Sequence, residues 1–141
     1  MKKYKFLDYM SDAFIEAWGD NLEEAFINAA RAFYDTMINE EKIESKETKD
    51  VEISGHDLEE LLYNWIEELI YLFEVEGWLT SEYNIKIERK NGSWYLRGKL
   101  HGEKYDKSKH GSKTHIKAVT YHEMKIHISN DGVKLRYLLD L

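Results

Sequence analysis

The stretch DLEELLYNWIEELIYLFEVEG, residues 57–77, continues into WLTSEYNIKIERKNGSWYLRGKL, residues 78–100. In the first half Leu58, Leu61, Leu62, Trp65, Ile66, Leu69, Leu72 and Phe73 recur at the helical period and form a wide apolar stripe. Asp57 stands where an N-cap belongs, Glu60 follows three residues later, and Gly77 sits where a left-handed residue ends a helix. The spacing predicts a helix over about 58–75, and the width of the stripe predicts that it is the most buried element. In the second half the period changes to two. Tyr83, Ile85 and Ile87 alternate with Glu82, Lys86 and Glu88. Asn91-Gly92 supplies two residues that tolerate positive φ, a hairpin signal, and Trp94, Leu96 and Leu100 continue one face of the returning strand.

The flanking sequence repeats this grammar. Residues 13–18, AFIEAW, read as a strand ending at Gly19. Asn21 and Glu24 form a capping-box pattern ahead of Leu22, Ala25, Phe26, Ala29, Ala30, Phe33 and Met37, so a helix is expected over about 22–38. Val51 and Ile53 alternate with polar neighbours in a strand over 46–54 that Gly55 breaks. Residues 101–114 read as a polar loop and 115–128 as a long strand. Asn130-Asp131-Gly132 marks a second tight turn, and Val133, Leu135, Tyr137 and Leu139 form the inward face of the last strand. With no repeat or linker, 1–141 is expected to be one domain. The expected fold is an α+β two-layer sandwich, two amphipathic helices on one face of a largely antiparallel or mixed sheet.

Composition narrows the function classes. The chain has 141 residues, a net charge of −7 and no cysteine, which removes disulfides, thiolate zinc sites and cysteine nucleophiles. No apolar run approaches the roughly 20 residues of a membrane helix, and no apolar stretch follows the basic start MKKYKF. A cytoplasmic protein without a signal peptide is the expectation. Lys99 to Lys117 is the only basic-rich stretch, and Glu103 and Asp106 interrupt it, which argues against direct RNA binding.

Catalytic signatures are sparse. His56, His101, His110, His115, His122 and His127 fall at irregular spacings, with no His-Glu-x-x-His and no Gly-x-Ser-x-Gly elbow. His122, beside Tyr121, is expected to be partly buried and hydrogen-bonded, and His110 is expected to face a partner from the polar loop. Asp12 starts the first predicted strand, and Asp140 ends the last one beside Leu141. Strand ends distant in sequence can adjoin in a sheet, and these oxygens would then suit a hard cation. Spacing alone favours the plainer reading, an aspartate that caps a turn and an exposed terminal residue.

The run GEKYDKSKH, residues 102–110, followed by IKAVTYH, residues 116–122, resembles the archease family, the small cofactor proteins of the tRNA-splicing RNA ligase. The motif is carried by Gly102, Glu103, Asp106, His110, Lys117, Ala118, Val119, Thr120, Tyr121 and His122, and SDAFIEAWG, LEEAFINAA and the ending LLDL support it. The resemblance implies a protein that is not itself an enzyme. It would activate the ligase by promoting its guanylylation with GTP and its multiple turnover in tRNA splicing. It also implies a divalent cation, Ca²⁺ with Mg²⁺ or Mn²⁺ as alternatives, held by Asp12 and Asp140 and completed by backbone or carboxylate oxygen of Leu141. Lys117 matches the family's functional lysine. One departure stands out: the family usually writes His-Thr-Ala-Asp where this chain has Tyr9-Met10-Ser11-Asp12. Two rival readings are a free-standing metal-dependent hydrolase, which would need a base near the cation, and a chaperone-like modulator of an RNA-modifying enzyme.

Overall fold

The computed structural model describes residues 2–141. Among these, seven strands pair antiparallel throughout, in two sheets. The first sheet has the order β1 (Tyr4–Leu7), β2 (Ala13–Gly19), β7 (Gly132–Asp140), β6 (Ala118–Ser129). The second has the order β3 (Glu47–Gly55), β5 (Ser93–Lys104), β4 (Trp78–Lys90). Helices α1 (Leu22–Met37) and α2 (Leu58–Glu76) each contact both sheets. The fold is thus an α+β sandwich, but its strands divide into two sheets where one was expected. Side-chain patterns mark which face a strand buries and leave open which strands pair; here β2 with β7 and β3 with β5 join strands far apart in the chain.

The capping signals act as read. The Asn21 side chain accepts from Glu24 N–H at 2.9 Å, and Asp57 accepts from Glu60 N–H at 2.8 Å. The return bond from Glu60 falls one residue early, on His56 N–H at 2.8 Å. Gly77 closes α2 at φ 67°, a conformation that costs a residue with a Cβ.

Contrary to the expectation from stripe width, α1 is the more buried helix. Ala25, Ala29, Ala30 and Ala32 let sheets approach it from more than one side, while Phe26, Phe33 and Tyr34 fill the gaps. Tyr137 of β7 donates to Ala29 O at 2.7 Å, and Trp65 of α2 donates to Phe26 O at 2.9 Å. On its other side the Tyr34 hydroxyl meets Thr80 of β4 at 3.1 Å. Helix α2 leaves Tyr71 and Val75 exposed.

Three further boundaries differ from expectation. Strand β1 is unannounced in the sequence, because YKFL is short and its alternation is weak. The segment expected as a loop over 101–114 begins as the end of β5 and contains a short helix, α3 (Lys107–His110). The strand expected from 115 begins at Ala118 and is split: Thr120 pairs with Leu138 but Lys125 with Arg136, so residues between them bulge out, with Glu123 at φ 61°.

Candidate functional site

The antiparallel ladder brings three chain-distant residues to one end of the first sheet. Ala13 pairs with Leu139 and Ala118 with Asp140, so Asp12 and Asp140 follow on neighbouring strands. On the far side of β7, Lys117 N–H donates to Asp140 O at 2.8 Å. Ser11, just before Asp12, holds φ 70°, an uncommon conformation for a residue with a side chain. Asp12 is half-buried, Asp140 and Lys117 are exposed, and Leu141 is partly buried against the core.

Neither Asp12 nor Asp140 forms an ion pair among the described residues, although ion pairs occur widely elsewhere. Adjacent unpaired carboxylates with main-chain oxygens form an all-oxygen donor set, which fits a hard cation and not a soft one. No group of three or more His, Asp or Glu side chains is arranged to hold a metal among the described residues, so two side-chain carboxylates are the most this end supplies. A cation here would take its remaining ligands from backbone oxygen, water or a partner.

His110 is not where a partner contact requires it. Its side chain is fully buried. Asp106 N–H donates to its Nδ1 at 3.0 Å, so the ring proton lies on Nε2, which donates to Glu103 Oε2 at 2.9 Å. Glu103 also accepts from Glu44 N–H at 2.8 Å and from Lys109, whose Nζ lies at 2.8 Å. Lys109 bridges onward to the Glu44 carboxylate. Burial pushes the Glu103 carboxyl up, but the bonds from Lys109, His110 and Glu44 outweigh it and hold the pKa at about 2. Asp106 caps α3 through Ser108 N–H at 3.1 Å. The motif residues Glu103, Asp106 and His110 therefore knit β5 and α3 together. Sequence reasoning found their spacing but missed the buried carboxylate at the centre, since no hydrophobic period marks it.

His122 is exposed, not partly buried, because it sits on the β6 bulge. Its ring lies 6.4 Å from that of Tyr9, the residue in place of the family's usual histidine. Tyr121, also on the bulge and half exposed, stacks on Tyr63 of α2 at 4.3 Å. His56 and His127 lie at the surface as well.

Comparison with known proteins places these features in a wider group. Residues 4–141 match the model of the Archease protein family. Protein archease of Pyrococcus furiosus is 46% identical over 132 residues, covering 94% of this chain and 93% of that one. Protein archease of Sulfurisphaera tokodaii is 43% identical over 141 residues and the full length of both chains. The solution structure of Methanobacterium thermoautotrophicum protein 1598 superposes with a TM-score of 0.87 at 37% identity, covering all of both chains.

Proposed function

The chain belongs to the archease family, and from that membership we propose that it is a protein cofactor of the tRNA-splicing RNA ligase. In this reading it promotes guanylylation of the ligase by GTP and so its multiple turnover, and it catalyses no reaction alone. The observation that supports the reading best is the meeting of Asp12, Asp140 and Lys117 at one sheet end, where Lys117 N–H holds Asp140 O at 2.8 Å.

Asp12 and Asp140, with backbone or carboxylate oxygen of Leu141, would hold a divalent cation, Ca²⁺ in preference to Mg²⁺ or Mn²⁺. Such an ion supplies positive charge and open positions that oxygen ligands of a partner or a nucleotide phosphate complete. Lys117 is exposed beside it. Its ammonium is a compact charge with three donors, suited to a phosphate or carboxylate that approaches the same edge. His122 and Tyr9, whose rings lie 6.4 Å apart, would line that approach, whereas buried His110 would act only through the packing of β5 and α3.

The test is transfer of labelled GMP from GTP to the RNA ligase of the same organism. Wild-type protein should speed guanylylation, and Lys117→Ala should not. An equal guanylylation rate with and without the wild-type protein would remove the reading.

A further inference from the structure

The outer face of the four-stranded sheet, away from the helices, concentrates positive charge on a protein that is acidic overall. Glu16 of β2 points to this face yet is only 3% exposed. Arg136 of β7 donates to it at 2.7 Å, and Lys5 of β1 lies at 3.5 Å. Lys125 stands opposite Arg136 in the ladder, and Lys134 lies two residues further along β7. Lys5, Lys134 and Arg136, all exposed, thus share the carboxylate of Glu16, and Lys125, also exposed, forms no ion pair among the described residues. The outer face of the other sheet differs: there Lys99 pairs with Asp50 at 2.7 Å and Arg97 with Glu88 at 3.5 Å.

The next row of the same face is apolar. Phe14 pairs with Leu138, and Leu138 with Thr120. Leu138 is 3% exposed although it points away from the helices and lies outside the main core. Tyr9 covers Phe14 edge-on at 5.5 Å, and neighbouring Met10 is 85% exposed. One row beyond lie Asp12 and Asp140.

We propose that this face is the docking surface for the protein partner, with the Tyr9–Met10–Phe14 island as apolar anchor and Lys5, Lys125, Lys134 and Arg136 meeting an acidic patch of that partner. The identity of the partner as the RNA ligase rests on the function proposed above. An apolar centre beside an arginine-bearing charged rim is the anatomy of a protein interface. Surplus charge of one sign selects a partner of the other sign and speeds encounter. A nucleic-acid strand fits less well. Phe14 is covered by Tyr9 and by Arg136, whose guanidinium lies 6.0 Å from the ring, so its ring is not free to stack on a base.

The test measures binding of the fluorescently labelled ligase over a range of ionic strength. Wild type is compared with Lys125→Glu/Lys134→Glu and with a control, Lys86→Glu/Lys90→Glu, on the other sheet. The first variant should bind about tenfold or more weakly at low salt, with a flatter salt dependence and the circular-dichroism spectrum of the folded wild type. The control should bind like wild type. Stimulation by wild type together with undiminished ligase affinity of the first variant would overturn this surface and leave the cofactor reading standing. Absence of both binding and stimulation by wild type would overturn both. A labelled single-stranded RNA that binds wild type and not the variant, with ligase affinity unchanged, would overturn the assignment to a protein.

Discussion

Glu103→Gln is the most informative single change to the fold around the motif. The side chain keeps its size, and its oxygen can still accept from Glu44 N–H and His110 Nε2–H, at 2.8 and 2.9 Å in the wild type. Its amide nitrogen then faces Lys109, a donor, where a carboxylate oxygen stood at 3.0 Å. Charge-assisted bonds become neutral ones of about half the strength, and one donor meets another, a loss of about 2 kcal/mol. For a chain of this size that lowers the melting temperature by about 4–8 °C. The effect depends on pH in a defined sense. The Glu103 pKa is held at about 2, below the usual 4.5, so its stabilisation is full above pH 4.5 and fades as pH falls towards 2. Thermal melts followed by circular dichroism should therefore show a constant gap between wild type and variant from pH 6 to 8, narrowing below pH 4.5. A variant that melts within about 1 °C of wild type at pH 7, or a gap that persists undiminished at pH 2, would refute the reasoning.

Three other outcomes are expected. Lys117→Ala should change stability by less than about 0.5 kcal/mol, because the side chain is exposed, yet reduce ligase stimulation; Lys117→Arg should restore part of it, and melts paired with guanylylation rates check both. Calorimetric titration with Ca²⁺ and Mn²⁺ should show one site in wild type and a large loss in Asp12→Ala. Gly102→Ala should destabilise strongly, by about 2 kcal/mol or more in denaturant melts, since its Cβ would lie 1.8 Å from Leu79 O of the neighbouring strand.

The elements legible in the sequence are those fixed by local physics. Asn21 and Asp57 start the two long helices where their side chains cap, Gly77 stops α2 with the φ it alone adopts cheaply, and Asn91-Gly92 turns β4 into β5. What depends on distant partners was not legible. Val51 announces a strand but not that Gly98 of β5 is its neighbour, and the split of β6 appears only when Thr120 and Lys125 are set against Leu138 and Arg136. Burial of α1 exceeded its apolar pattern because alanines read as weak apolar signals yet permit the closest packing. Of the candidate site, Asp12, Asp140 and Lys117 could be named from strand ends and motif, and the ladder brings them to one edge. His110 misled because a lone histidine among lysines reads as surface, while the carboxylate that draws it inward, Glu103, precedes it by seven residues with no helical or strand period between them.

The central claim, that this protein turns a single-use ligase into a recycling one, is tested most directly by multiple-turnover RNA ligation with the ligase limiting. With the protein present, product should rise well past one equivalent of ligase, and Lys117→Ala should return it towards that level. Product that passes one equivalent equally fast without the protein, or stalls at one equivalent despite it, would contradict the account.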